Sequence, residues 1–137
     1  MTEKGRRQAR LVCLKAKELG TQVDVVVSSP LVRARETATI AREVLNPQAE
    51  LKVDSCLGPE SLVKRVYDYL SKVELADRIV LVTHGPLLGA LVRDLLDWHV
   101  ERKNLRMNLG AMIRIDCDNA PGACSGNLVW LLPQLTD

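Results

Sequence analysis

Two stretches of the chain place polar side chains between a buried strand and a helix. VVVSSPLVR (25–33) and VLVTHGPLLG (80–89) each run from apolar residues into a short polar turn, and a proline stands where the next helix should begin. In open α/β sheets, ligands bind outside the carboxyl ends of the strands. Free N–H groups at the following helix N-termini favour an anion such as phosphate. The two turns are therefore the candidate site.

Two side chains at these turns have the chemistry to bind an oxyanion. Arg33 is predicted about one turn inside its helix, where a guanidinium could reach back over the strand end and bind phosphate oxygens in a fork. His84 occupies the matching position after the second strand, and the hydroxyl groups of Ser28 and Ser29 stand beside Arg33. We interpret Arg33 and His84 as an oxyanion-binding pair.

Each of these residues also has a simpler structural interpretation. The two serines could cap a helix. Arg33 could pair with Glu36 on the surface, and His84 could be a turn residue bonded to the backbone. Short motifs match often by chance. Because the two stretches occupy equivalent positions on the two strongest predicted strands, we favour the functional interpretation.

The spacing of apolar residues predicts the elements that position the turns. Helices are predicted over 3–19, 30–45, 60–73 and 86–98, and strands over 23–29, 51–53, 78–82, 111–117 and 127–132. The order αβαβαβαββ predicts an α/β fold, a three-layer sandwich in which a mostly parallel sheet is flanked by helices and followed by a C-terminal β-hairpin. We expect residues 1–137 to form a single domain.

Composition narrows the classes of partner. A net charge of +2 does not call for a nucleic acid or a membrane surface, and no apolar run is long enough to cross a bilayer. Binding of nucleic acid through the basic first helix is a less favoured alternative. The four cysteines show no CxxC pair and no metal-ligand spacing, so we expect no metal, no organic cofactor, reduced thiols and a cytoplasmic location.

Four stretches of the sequence resemble the histidine phosphatase (phosphoglycerate mutase-like) superfamily, and most closely its SixA-type phosphohistidine phosphatases. SSPLVRARETA (28–38) is similar to the family's SP-x-x-RA-x-(Q/E)-TA segment, and VTHGPLLGALV (82–92) to its second-histidine segment. TEKGRRQA (2–9) resembles the opening of its first helix, and LGAMIRID with NLVWLLP resembles its closing strands.

The resemblance implies a phosphate pocket made of two histidines and two arginines. One histidine becomes transiently phosphorylated, and the other groups stabilise charge on the transferring phosphoryl group. On this chain, Arg33 matches the second pocket arginine and His84 the second, supporting histidine. Both are the predicted catalytic residues, and Ser29 and the N–H of Gly85 are predicted to help hold phosphate. Larger relatives keep a general acid near the position of Glu60, although a glutamate favoured by a helix dipole is the other interpretation.

One departure from the family pattern affects both fold and function. The family's nucleophile lies in an Arg-His-Gly motif at the end of a first, central strand, before the helix that TEKG opens, and this sequence contains no such motif. The only other histidine, His99, is predicted at a helix end. We therefore expect the chain to be N-terminally truncated relative to the family and to lack that central strand. Without this strand, two other strands either expose unpaired backbone groups or close on each other, and the incomplete sheet could pair with another chain.

Two functions remain open at this point. The first is that of a SixA-like phosphohistidine phosphatase or phosphomonoester hydrolase, whose partner is a phosphate-bearing substrate such as a phosphohistidine protein. The alternative is a catalytically inactive pseudophosphatase that binds phosphate or a phosphoprotein, because the nucleophilic histidine is absent.

Overall fold

The fold alternates helices and strands in the predicted order. The computed structural model describes residues 1–72, 77–96, 112–117, 121–122 and 126–132. Its elements are α1 (Glu3–Glu18), β1 (Val25–Ser28), α2 (Val32–Leu45), β2 (Glu50–Val53), a 3-10 helix (Ser55–Leu57), α3 (Val63–Lys72), β3 (Ile79–Val82), α4 (Gly85–Leu95), β4 (Met112–Cys117) and β5 (Gly126–Leu132). The predicted order αβαβαβαββ is confirmed.

Two helices begin later than the sequence predicts, because proline opens a turn in each case. Helix α2 begins at Val32 instead of Pro30, since Leu31 keeps an extended conformation as its N-cap. Helix α3 begins at Val63 instead of Glu60, and a turn closed by the bond from Ser61 N to Gly58 O (3.1 Å) precedes it. The end predicted for the fourth helix, at Trp98, lies outside the described residues.

The central sheet is parallel and has β1 in its middle. Strand β1 pairs with β2 on one side and with β3 on the other. All four of its residues are buried, as expected for a continuous aliphatic strand covered on both faces. The shared register sets Ser28 between Val53 and Val82, so that the three carboxyl ends are level.

Helices cover both faces of this sheet and bury two separate clusters. Val26 packs on one face with buried residues of α1 and α2, and Val25 and Val27 pack on the other with the 3-10 helix, α3 and α4. The predicted three-layer α/β sandwich is thus confirmed. None of the helices in the described ranges is long and apolar enough to cross a membrane.

In the described ranges, the C-terminal hairpin forms a two-stranded sheet separate from the central sheet. Strands β4 and β5 pair with each other in antiparallel fashion, as predicted. Their side chains pack against the same two clusters as those of β3: Val80, Val82, Met112, Trp130 and Leu132 on one face, and Ile79, Leu81, Ile115 and Cys117 on the other. Within the described residues, however, β3 has hydrogen bonds to β1 alone.

Within the described ranges, the second edge of β3 therefore has no partner strand. Its four residues are as aliphatic as those of β1, yet all are half-buried whereas β1 is fully buried. A strand with an unpaired edge exposes N–H and C=O groups that can pair with another strand.

Two buried thiols are held in the neutral form. Burial raises the pKa of Cys13 to about 11. Burial, a hydrogen bond to Asp54 and the charge of that carboxylate raise the pKa of Cys56 to about 12. Neither thiol has the lowered pKa of a reactive cysteine, so we assign both to the core.

Candidate active site

Backbone hydrogen bonds join the two candidate turns at the carboxyl end of the sheet. Ser29 N donates to Val82 O (2.9 Å), which continues the ladder between β1 and β3 beyond their last pair. Asp54 N donates to Ser28 O (3.0 Å) and joins the end of β2 to the same edge. The SSP and THG turns are therefore neighbours, as the positions of their strands predict.

The two serines stabilise the first turn from inside. Both are fully buried. Ser28 Oγ donates to Ser29 O (2.8 Å), and Ser29 Oγ accepts from Leu31 N (3.3 Å). Neither serine is the N-cap of α2, because Leu31 occupies that position and makes no side-chain cap. Ser29 stays a predicted phosphate ligand, although in this conformation its side chain is enclosed.

Arg33 is available to a ligand. It is the second residue of α2, it is exposed, and it makes no hydrogen bond or ion pair with any described residue. Glu36, its alternative partner, lies instead 3.6 Å from the Met1 amino group and 3.6 Å from Arg6 Nη2. The unpaired N–H groups of the first helical turn add positive potential around the guanidinium.

His84 is held where β3 passes into α4. It is the N-cap of α4 with extended backbone (φ −103°, ψ 166°), and its carbonyl accepts from Leu88 N (2.9 Å). Its imidazole Nδ1 lies 3.3 Å from Thr83 Oγ1, and that hydroxyl group donates to Leu57 O (2.8 Å). The half-buried imidazole ring therefore contacts the side chain of Thr83, whereas the simpler interpretation predicted a hydrogen bond to the backbone.

Gly85 leaves open space at the start of α4. It is exposed, and a Cβ built on it would meet no atom within 4 Å. As the first residue of the helix, it carries an N–H group with no intrahelical acceptor. The space and the donor together fit an anion beside His84.

Replacing Gly85 by alanine is expected to separate binding from folding. The methyl group would enter the space beside the helix N-terminus without a steric clash, and the backbone there is not left-handed. We expect the free energy of unfolding to change by less than about 1 kcal/mol, since alanine is the better helix former. Phosphate affinity, measured by isothermal titration calorimetry, should fall. An unchanged affinity would remove Gly85 from the site.

The remaining predicted acid lies outside these turns. Glu60 is exposed in the turn before α3, so the interpretation as a helix-start glutamate is wrong, because that helix begins three residues later. No described contact joins Glu60 to Arg33 or His84. In the part of the chain that the structure describes, no three His, Cys, Asp or Glu residues form a group that could hold a metal ion.

The structure adds one residue that the sequence interpretation passed over. Thr83 precedes His84 in the quoted motif, but its hydroxyl group donates to the carbonyl oxygen of Leu57, which lies 26 residues earlier. A threonine beside the candidate histidine is the only local signal for this contact. Its acceptor becomes evident only when the 3-10 helix packs under the strand end.

Comparison with known proteins identifies the class of this fold. The sequence model of the histidine phosphatase superfamily (branch 1) matches residues 1–58. The protein histidine phosphatase SixA, solved with tungstate, superposes with a TM-score of 0.82 at 23% identity, covering 98% of this chain and 83% of that one. A phosphoglycerate mutase from Plasmodium falciparum gives a TM-score of 0.74 at 20% identity, covering 94% and 83%.

The chain thus has a SixA-like fold, and its residues 1–58 are similar to the histidine phosphatase superfamily, in agreement with the predicted resemblance. An uncharacterised protein of Picosynechococcus sp. is 35% identical over 92 residues, which are 65% of this chain and 54% of that protein. A mitochondrial serine/threonine-protein phosphatase of Drosophila ananassae is 42% identical over 57 residues, 42% of this chain and 19% of that protein. The chain therefore spans about half the length of the first relative and about a fifth of the second.

Proposed function

We propose that this chain is a phosphatase domain whose Arg33 and His84 hold the phosphoryl group of a phosphorylated substrate. The observation that carries the proposal is the pairing of β1 with β3. It brings an exposed arginine, which has no partner among the described residues, and a helix-capping histidine to adjacent strand ends. The similarity to the histidine phosphatase superfamily supports a phosphoryl group as the ligand.

Each residue has a defined task in phosphoryl transfer. This reaction depends on positioning and on stabilising charge over the phosphoryl oxygens. The Arg33 guanidinium binds two of these oxygens, and the N–H of Gly85 donates to a third. His84 supports the charge as a hydrogen-bond donor. In this family the nucleophile is a histidine of an Arg-His-Gly motif, which this sequence does not contain, so we assign His84 the supporting role and not the attack.

The substrate we propose is a phosphohistidine protein or a small phosphomonoester. Solved relatives are described as a protein histidine phosphatase and as a mycobacterial glucosyl-3-phosphoglycerate phosphatase, the latter with a TM-score of 0.70 at 21% identity. Glu60 is the proposed general acid, from an exposed turn that would have to approach the leaving group. We propose that the domain, residues 1–137, works in the cytoplasm without a metal or an organic cofactor.

A second function is favoured by the histidine content. His84 is the only histidine among the described residues, and the sequence has one other, His99. If no histidine nucleophile completes the site beside Arg33, the site binds a phosphoryl group without transferring it. The second candidate is therefore a pseudophosphatase that binds phosphate or a phosphoprotein.

Hydrolysis and binding assays separate the two functions. Phosphatase activity predicts release of p-nitrophenol from p-nitrophenyl phosphate and loss of that release in both Arg33→Ala and His84→Ala. The binding function predicts saturable phosphate binding that the same changes weaken, with no turnover. Turnover that survives both substitutions would show that the activity arises elsewhere.

We also propose that the open edge of β3 supports self-association. On the side away from β1, its half-buried aliphatic residues pair with no strand of the described ranges, so they can pair with a strand of a second copy. Sedimentation velocity should then show a concentration-dependent dimer. Leu81→Lys, which places a charge on this strand, should give a monomer. A chain that stays monomeric at all concentrations would contradict this interface.

A further inference from the structure

We infer that Thr83 is a positioning residue that fixes the tautomer of His84. This inference rests on the proposed function in one respect: the proposed function is what makes one nitrogen of His84 a phosphate ligand. The hydrogen-bond roles themselves follow from the described contacts alone.

The hydroxyl proton of Thr83 is committed to one partner. Thr83 Oγ1 lies 2.8 Å from Leu57 O. A carbonyl oxygen can only accept, so the hydroxyl group must donate to it, and a hydroxyl group has one proton. Towards any other neighbour, Thr83 Oγ1 can act only as an acceptor.

That neighbour is the Nδ1 atom of His84, at 3.3 Å. Since Thr83 Oγ1 has no proton left to give, Nδ1 must carry the proton and donate it. A neutral imidazole has one N–H group, so Nε2 keeps its lone pair. The nitrogen left for a ligand is therefore Nε2: it accepts a proton when the ring is neutral and donates to an oxyanion when the ring is charged.

The Leu57 carbonyl group, to which Thr83 donates, is held in place by its own surroundings. Leu57 is fully buried and ends the 3-10 helix, and its own N–H donates to Asp54 O (3.2 Å). Asp54 in turn binds the end of β1 through Ser28 O (3.0 Å) and accepts Cys56 N (2.8 Å) on its side chain. The orientation of His84 is thus tied through Thr83 to the strand that precedes Arg33.

The tautomer can be measured directly. In chain labelled with ¹⁵N-histidine at a pH where His84 is neutral, NMR should show a protonated Nδ1 and an unprotonated Nε2. A His99→Gln variant assigns the two sets of signals. Thr83→Val has a similar shape without the hydroxyl group, and we expect it to shift His84 towards the Nε2–H form. Thr83→Ser, which keeps the hydroxyl group, should restore the Nδ1–H form.

Binding of inorganic phosphate gives the functional readout. At a pH where the His84 ring is protonated, Thr83→Val removes the acceptor of Nδ1–H and should weaken phosphate binding about threefold to tenfold, the range that one hydrogen bond supports. Thr83→Ser should stay within about twofold of the original chain. A protonated Nε2 in the original chain would overturn the inference even if Thr83→Val failed to fold. So would a Thr83→Val variant that keeps the Nδ1–H form. If the tautomer is as expected but no variant binds phosphate, the proposed function fails and the positioning by Thr83 stands.

Discussion

Arg33→Ala is expected to weaken phosphate binding about tenfold to a hundredfold without destabilising the fold. A hydrogen bond to a charged group contributes about 1.5–3 kcal/mol, and the guanidinium offers such bonds to two phosphoryl oxygens. The side chain is exposed, and its loss removes no hydrogen bond or ion pair with any of the residues that the structure describes. Isothermal titration calorimetry with inorganic phosphate measures the first effect, and chemical denaturation measures the second.

A matched control lies two residues further along the same helix. Arg35 is exposed like Arg33 and carries the same charge, but two residues of an α-helix turn its side chain to a different face. Arg35→Ala should leave phosphate affinity within about twofold, since it removes only screened long-range charge. Arg33→Lys should restore part of the affinity, because lysine keeps the charge but not the fork. Equal losses of phosphate affinity in Arg33→Ala and Arg35→Ala would mean that phosphate responds to the net charge of the chain and does not bind at a defined site.

The largest effect on stability is expected from Leu57→Ala. Leu57 is fully buried in the cluster formed with α3 and α4, and truncation of such a leucine costs about 2–5 kcal/mol through lost burial and a residual cavity. The total stability of a domain of this size is only about 5–15 kcal/mol. Urea denaturation followed by circular dichroism gives the free energy of unfolding.

Leu62→Ala is the control for this substitution. Leu62 is 69% exposed and follows Leu57 by five residues, so the same change should alter the free energy of unfolding by less than about 0.5 kcal/mol. Equal costs for Leu57→Ala and Leu62→Ala would show that the 3-10 helix is not part of the core.

Local sequence patterns predict the strands and the two turns, because these elements are determined by residues that are close together in the sequence. VVVS is buried on both faces, and a continuous aliphatic run is the sequence signal for that environment. The helix starts at Val32 and Val63 are shifted from the predicted positions because proline is compatible with a preceding turn as well as with a first helical turn. Periodicity alone does not distinguish the two.

Contacts that join distant segments could not be predicted in this way. Thr83 meets Leu57 only after the strand order β2-β1-β3 sets the 3-10 helix beside the end of β3. The pairing of Glu36 with Met1 and Arg6 likewise depends on the packing of α1 against α2. Arg33 could be singled out from its motif, but its freedom from Glu36 is a property of the fold.

The central claim is that Arg33 and His84 bind one phosphoryl group, and NMR titration with inorganic phosphate tests it most directly. We predict that the imidazole signals of His84 shift saturably as phosphate is added, that those of His99 do not, and that Arg33→Ala abolishes the shift at the same concentrations. An absence of any His84 shift at millimolar phosphate, or a shift that Arg33→Ala leaves intact, would contradict the shared site.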